Sequence, residues 1–499
     1  MAPPRVPTDR VVPVLPYDSS MAVLTSKIHV LLAYNAVLDP ERLRDTLWSV
    51  VEREGWERLG ARLRRVGLTG LEFHIPVKFT LERPAINFSQ VTHDTSIASH
   101  PEACHLVAPI DTETIKTYPA PIEGLILPEG SPVNLFDYLS RDIPLLGIHV
   151  VSFRDAAVVV FYLPHMLLDG TGIIATLNAW TMALHGEDCK IPTPIAMDVD
   201  PLASIKPNPN LLKPTRHFPW VWTGLSWGRY VLAISPRLLF SSRVFKTIIV
   251  PPSQMKRLRE RAIQELAAER GTVKDGRPAT LSDGDVLAAW WLRLELSHLP
   301  KHSKQKVSLV NAVALRQFLP GEADPKRPDS KIVFSNIFDF VRVIMDADYI
   351  KNQPLGQVAN RIRTILRKAQ TPERLESFAT WWKTSRLTCP KLFGTSDMYV
   401  IGFSNMTMGK FFKIDLLGAA VDRETRSSPL NPSNVQLRVT GASPFNGTWI
   451  AGKDDNNNYW LNCGTWSPYW PKIEEALAKE NMAAEAIPMR VLAPIRARL

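Results

Sequence analysis

The stretch 161-FYLPHMLLDGTG-172 closes an apolar run with a histidine, places an aspartate four residues on, and follows it with two glycines around a threonine. Upstream, GIHVVSFRDAAVVVFYLPH holds two apolar runs split at Arg154-Asp155, the pattern of a β-hairpin whose second strand runs into His165. Downstream, IIATLNAWTMALHG repeats apolar residues at Ile173, Leu177, Trp180 and Leu184, one face of a helix that Gly186 should end. The motif therefore lies in a strand-to-helix connection.

Further from the motif the same alternation continues. KIHVLLAYNAVLD reads as a strand, and DPERLRDTLWSVVEREG as a helix with Leu43, Leu47, Val50 and Val51 on its apolar face. ARLRRVG and LEFHIPVKFT read as a hairpin joined near Gly67 to Gly70. Residues 186–245 are crowded with prolines, which favour extended backbone, and read as an interdomain crossover. Beyond it, FKTIIVPPSQMKRLRERAIQEL gives strand then helix, LSDGDVLAAWWLRLEL a helix capped by Ser282 or Asp283, and KVSLVNAVAL a strand. Strand and helix then recur through DMYVIGFSN, FFKIDLLGAA, VQLRVTG and the helix KIEEALAKE. At 499 residues the chain exceeds the roughly 250–300 that one hydrophobic core supports. The expectation is an α/β protein of two mixed-sheet domains, 1–190 and 246–499, joined by a crossover over 191–245.

Composition narrows the function classes. With 45% hydrophobic and 22% charged residues the chain has the apolar content of a globular protein. The N-terminal MAPPRVPTDRVVPVLPYD lacks the apolar core of a signal peptide. The most membrane-like segment, HFPWVWTGLSWGRYVLAISPRLLF, is broken by Arg229, Pro236 and Arg237 and is too interrupted to span a bilayer, though an interfacial role suits it. Cys104, Cys189, Cys389 and Cys463 are widely spaced without a CxxC pair, so neither a disulfide framework nor a metal site is expected, and the cytoplasm is the expected compartment. The net charge of +10 is interleaved with acidic residues in KRLRERAIQELAAER, which suits a small polyanion better than nucleic acid.

Of 11 histidines only His165 has an acid four residues later, and chance alone supplies about one such match. Two readings stay open on the residues themselves. His165 is a general base with a nearby carboxylate, or it is a strand-end histidine followed by Asp169 as helix cap on the amides near Thr171 and Gly172. Pro164 and the glycines turn the backbone sharply out of the strand, which can aim an imidazole into a cleft.

HMLLDG, with its strand before and helix after, resembles the HxxxD motif of BAHD-type acyl-CoA-dependent acyltransferases. LPYDSS, the proline-rich crossover, TLSDGDVLAAWW, VNAVALRQFLP and FSNMTMGKFFKIDLLGAA resemble further family segments. Plant members carry DFGWG where this chain has DLLGA at Asp415 to Ala419, so the fungal secondary-metabolite type is the nearer resemblance. The resemblance implies two chloramphenicol-acetyltransferase-like domains with an active-site channel between them. It implies His165 as base and Asp169 as its structural support, turned away from the cleft to pair with Arg316. It places Ser404 as oxyanion donor with Asn405 as substitute, Asp415 and Gly418 in a structural motif, and coenzyme A against Lys256, Arg257, Thr280 and Ser282. No permanently bound cofactor and no metal are implied. Acetyl-CoA or another acyl-CoA is the co-substrate, a bulky apolar alcohol such as a terpenoid, polyketide or alkaloid the acceptor, and a monomer without stable membrane insertion the expected state.

Two rival readings come from other classes. GLSWG at 224–228 fits the G-x-S-x-G elbow of an α/β-hydrolase-like esterase with Ser226 as nucleophile, but no strong apolar strand precedes it and only His298 and His302 follow it. The other is a non-catalytic module, or one that takes acyl groups from a carrier protein.

Overall fold

In the computed structural model of the chain the described residues are 3–68, 70–107, 113–120, 125, 127–212, 224–270, 280–327, 329–384, 397–441 and 445–485. Fifteen strands occur among them: β1 (Arg10–Pro13), β2 (Ser26–Tyr34), β3 (Arg62–Val66), β4 (Gly70–Ile75), β5 (Asn87–Thr92), β6 (Lys116–Pro119), β7 (Gly147–Ser152), β8 (Ala157–Pro164), β9 (Arg243–Val250), β10 (Lys306–Ala314), β11 (Phe338–Asp346), β12 (Tyr399–Asn405), β13 (Asn434–Gly441), β14 (Asn446–Lys453) and β15 (Tyr459–Trp466). They form a five-stranded sheet in the order β13-β2-β8-β7-β5, a seven-stranded sheet in the order β11-β10-β12-β14-β15-β9-β6, and a small sheet β1-β4-β3.

Every residue of β2 and of β8 is buried, because the five-stranded sheet is covered on both faces. Val159, Phe161 and Leu163 share one core with the helices Pro40–Val51 and Gly170–Leu184, and Val158 and Val160 pack with Ile97, Ala103 and Leu106 in another. Continuous aliphatic runs such as AVVVFYLP are what such a two-sided strand requires. The helix Pro40–Val51 starts at Asp39, whose carboxylate accepts from the Glu41 and Arg42 amides at 3.0 and 3.1 Å, and it buries Leu43, Leu47, Val50 and Val51. Ile173, Leu177, Trp180 and Leu184 are buried on the second helix, and Gly186 follows it with φ +71°, a conformation suited to glycine.

The helices Pro252–Arg270, Asp283–Glu295, Leu355–Lys368 and Trp470–Glu485 pack on one face of the seven-stranded sheet, against Val307, Leu309, Ile401, Phe403 and Leu461. The other face carries Val310 and Val400, with Phe340 and Ile344 beside them. Sheet membership cuts across the order of the chain. β6 from the first half pairs antiparallel with β9, and β13 from the second half pairs along the whole of β2. The β13 residue Leu437 donates its amide to the Asn462 side chain of β15 at 2.8 Å, which ties the two large sheets together.

Two local expectations are corrected. The proline-rich crossover contains a 17-residue helix, Gly224–Phe240, with Pro236 inside it; a single interior proline removes one backbone hydrogen bond, and burial of Tyr230 and Ile234 outweighs that loss. FFKIDLLGAA forms two short 3-10 turns, Phe411–Lys413 and Leu417–Ala419, rather than a strand or helix. Its apolar residues Phe411, Phe412, Ile414 and Leu416 are buried as loop anchors, so their spacing follows no regular period.

Candidate active site

His165 is the first residue past β8. Its amide donates to the Ser26 carbonyl at 2.9 Å, and its own carbonyl accepts from Asn336 Nδ2 at 3.1 Å. The backbone is thus fixed on both sides of a half-buried ring, which lies 5.7 Å from the Phe338 ring at an interplanar angle of 40°. Nδ1 is buried and, among the described residues, makes no hydrogen bond of ordinary geometry. Burial lowers the imidazole pKa from its usual value, opposed by its own backbone carbonyl and then by the Asp169 charge.

Asp169 does two things at once, so the two readings of the sequence are not alternatives. One carboxylate oxygen caps the helix Gly170–Leu184, accepting from Thr171 N at 3.0 Å and Gly172 N at 3.1 Å. The other pairs with Nη1 of Arg316, a residue 147 positions away in the turn after β10. The arginine's second terminal nitrogen donates to the carbonyls of Val333 and Ser335. With side-chain exposures of 12% for Arg316 and 6% for Asp169, the pair is shielded from water.

A second network carried no sequence assignment. Asp18, from LPYDSS, is fully buried and accepts from Asn336 N at 2.6 Å, Asn336 Nδ2 at 2.8 Å and Arg58 Nη2 at 3.0 Å. Asn336 Nδ2 also reaches the His165 carbonyl, and Arg58 Nη1 donates to Ser335 Oγ at 3.3 Å. Residues 333–336 therefore link the N-terminal segment, the His165 loop and Arg316. Nothing in the composition of KIVFSNIFDF marks this function.

Ser404 and Asn405 end β12, with Ser404 opposite Trp449 of β14. The next residue, Met406, lies so close to Gly170 that a Cβ there would meet its methyl carbon at 2.2 Å. That contact seats the end of β12 on the turn after Asp169. Ser404 is half-buried, whereas the Asn405 side chain turns back to accept from Thr407 N and Oγ1 at 3.0 and 2.6 Å, with its Nδ2 against Gly284.

The far end of the Gly170–Leu184 helix is held by the DLLGA loop. Asp415 accepts from the Leu417 and Leu430 amides at 2.9 and 2.8 Å, and its other oxygen lies 3.0 Å from His185 Nε2. Gly418 packs flush on the helix end: a Cβ there would sit 2.2 Å from the Leu184 carbonyl oxygen, a backbone atom that cannot swing away. Gly418→Ala is accordingly expected to destabilise the fold by about 1–3 kcal/mol, read as a lowered urea midpoint with an unchanged slope.

The four residues assigned to coenzyme A are spread over two helix starts. Lys256 is exposed, 4.0 Å from Glu260, and Arg257 is half-buried one position on. Thr280 is exposed and accepts from Arg363 Nη2 at 3.4 Å. The hydroxyl of Ser282 is committed to a capping box, donating to Asp285 Oδ2 at 2.6 Å and accepting from Asp285 N at 3.2 Å. Of the rival residues, Ser226 falls in the first turn of the Gly224–Phe240 helix, and its side chain and the residues 213–223 before the helix lie outside the described residues. His298 is stacked 3.7 Å from the Tyr469 ring, and His302 pairs at the surface with Asp348.

A narrow cleft of about 30 Å³ is lined by Tyr17, Phe338, Phe340, Phe378, Trp381 and Trp382, with Asn336, Ser20 and Asp339 as its polar members, and its Phe338 ring lies 5.7 Å from that of His165. Asp339 is neutralised by Arg374 at 2.6 Å, so the cleft presents aromatic faces rather than a net charge.

Residues 131–415 match the family described as the Transferase family, and the chain belongs to it: it is an acyltransferase of the BAHD type. Over 96% of its length the chain is 32% identical to the transcriptional regulator calD of Penicillium decumbens, covering 98% of that protein, and 30% identical to the acetyltransferase adrJ of Penicillium roqueforti, again covering 98%. In fold it is similar to TRI101 of F. sporotrichioides, crystallised with coenzyme A and T-2, at a TM-score of 0.62 over 93% of this chain and 97% of that one, with 14% identity.

Proposed function

We propose that the protein transfers an acyl group, acetyl in the first instance, from a coenzyme A thioester to a hydroxyl of a bulky apolar secondary metabolite, with His165 as general base in a ternary complex. The observation that carries the reading is the half-buried His165 on a loop braced by Asp169 and Arg316, its ring 5.7 Å from Phe338 of the aromatic cleft. The acetyltransferase relative supports the acyl group, and the coenzyme A complex of TRI101 supports the donor. The name of calD describes a regulator; the family match and the acetyltransferase relative, covered to the same extent, support the acyl-transfer reading.

With Nδ1 buried, Nε2 is the nitrogen that takes the acceptor's proton as its oxygen attacks the thioester carbonyl. The tetrahedral oxyanion is stabilised by the Ser404 hydroxyl, with Asn405 Nδ2 as the substitute donor, since the turn occupies only the Oδ1 of that side chain. Collapse breaks the carbon–sulfur bond, and the thiolate leaves with the proton that His165 held. Segments 1–190 and 246–499 supply the two domains, with 191–245 as the connection, apart from β6 and β13, each of which pairs into the sheet of the other segment. Lys256, Arg257 and Thr280 are the cofactor contacts, Ser282 acting through the helix cap it provides. The acceptor is a terpenoid, polyketide or alkaloid alcohol, and the protein works as a cytoplasmic monomer.

The test is release of coenzyme A thiol from acetyl-CoA against a panel of polycyclic alcohols, with calorimetric titration of acetyl-CoA and longer acyl-CoAs. Binding of no acyl-CoA would overturn the proposal. Ser404→Ala is expected to lower kcat by about 10²-fold or more with little change in acyl-CoA affinity; an unchanged kcat removes Ser404 from the mechanism.

A further inference from the structure

The helix Gly224–Phe240 in the crossover has apolar residues on two opposite faces. Tyr230 and Ile234, one turn apart, are buried with Val310, Met398 and Val400 on the helix-free face of the seven-stranded sheet, the Tyr230 ring 5.6 Å from that of Phe445. At about 100° per residue, Leu225, Leu232 and Leu239 share one stripe on the opposite side. They are 70%, 74% and 74% exposed, and Phe240 beside them is 84% exposed. A helix lying on a soluble domain presents polar residues there instead.

The charge of this region is one-sided as well. From Pro201 through Phe240 the sequence holds five lysines and arginines and no aspartate or glutamate, where the chain average would place about four acids. Arg229 is exposed and falls close to the leucine stripe, where its stem can lie among apolar groups with the guanidinium at the level of a headgroup. At 17 residues the helix is too short to cross a bilayer, and among the described residues no helix is long and apolar enough to do so.

We propose that this helix is a peripheral membrane-binding surface for anionic phospholipid, lying in the interface with Leu225, Leu232, Leu239 and Phe240 inserted. Charge decides the occupant. A second copy of the chain would bring Arg229 and the like-charged residues of this segment face to face, whereas an anionic leaflet neutralises them as the leucines leave water. The helix is seated on the sheet face that bears Phe340, a residue of the aromatic cleft, so the surface lies on the same side of the sheet as that cleft residue.

The experiment is flotation of the full chain with vesicles of phosphatidylcholine alone and with added phosphatidylserine, at low and high salt. The expected result is flotation with the anionic vesicles, reversed by salt, and a loss of about tenfold or more in Leu232→Glu/Leu239→Glu, whose circular dichroism is unchanged. Equal binding to neutral vesicles, or equal binding by native and variant chains, overturns the proposal. So does dimerisation in sedimentation velocity that the variant abolishes in the absence of vesicle binding, which assigns the face to a second copy. None of these readouts depends on catalysis, so failure here leaves the acyl-transfer proposal standing.

Discussion

His165→Ala is expected to lower kcat by about 10²–10⁴-fold while acyl-CoA binding is retained. The backbone contacts that hold the position, from His165 N to Ser26 and from Asn336 to the His165 carbonyl, survive the substitution, so the loss reports chemistry rather than folding. The pH profile carries the same claim. A general base must be neutral, and burial lowers the His165 pKa, so the neutral form persists to more acid pH than in a free histidine. The acid limb of kcat/KM should therefore fall below the usual value of about 6.5. A limb at or above that value, or an alanine variant as fast as the native chain, contradicts the assignment.

Asp169→Asn is expected to destabilise the fold by about 3–5 kcal/mol, because it leaves the Arg316 guanidinium buried without its counter-charge. Asparagine is a good helix cap, so the hydrogen bonds to Thr171 and Gly172 can remain, and the loss isolates the ion pair. Removing both partners in Asp169→Asn/Arg316→Met should recover part of the stability, since no uncompensated charge then remains. Urea unfolding of the double-mutant cycle measures this, and additivity within about 0.5 kcal/mol would show that the two residues are not coupled. Catalysis should fall with stability, since the helix cap and the ion pair both act on the loop that carries His165.

What was legible in the sequence is what local periodicity encodes. The helix Gly170–Leu184, four of its buried residues and its terminating glycine follow from spacing alone, as does Pro40–Val51 with its cap. The pairing of Asp169 with Arg316 was reachable only through family resemblance, because no local rule joins residues 147 positions apart. Asp18, Asn336 and Arg58 escaped notice for the same reason: Asp18 and Asn336 are 318 positions apart, and each is an ordinary polar residue until both are buried together. β11 was missed although Val341, Val343 and Met345 alternate with less buried neighbours, a period-two signal that could have been read. The exchange of β6 and β13 between the sheets left no mark, since edge pairing depends on which strands the rest of the fold brings near. Ser282 shows the opposite hazard, a residue whose position suggested a ligand contact and whose hydroxyl is taken up by its own helix.

The central claim is direct, base-assisted transfer at His165 between a thioester and an alcohol held in the aromatic cleft. It is tested most directly by following thiol release from acetyl-CoA, with and without a polycyclic secondary alcohol, in the native chain and in His165→Ala. The expected result is alcohol-dependent release by the native protein that the variant loses while still binding acetyl-CoA. Alcohol-dependent release by the variant at the native rate would contradict it.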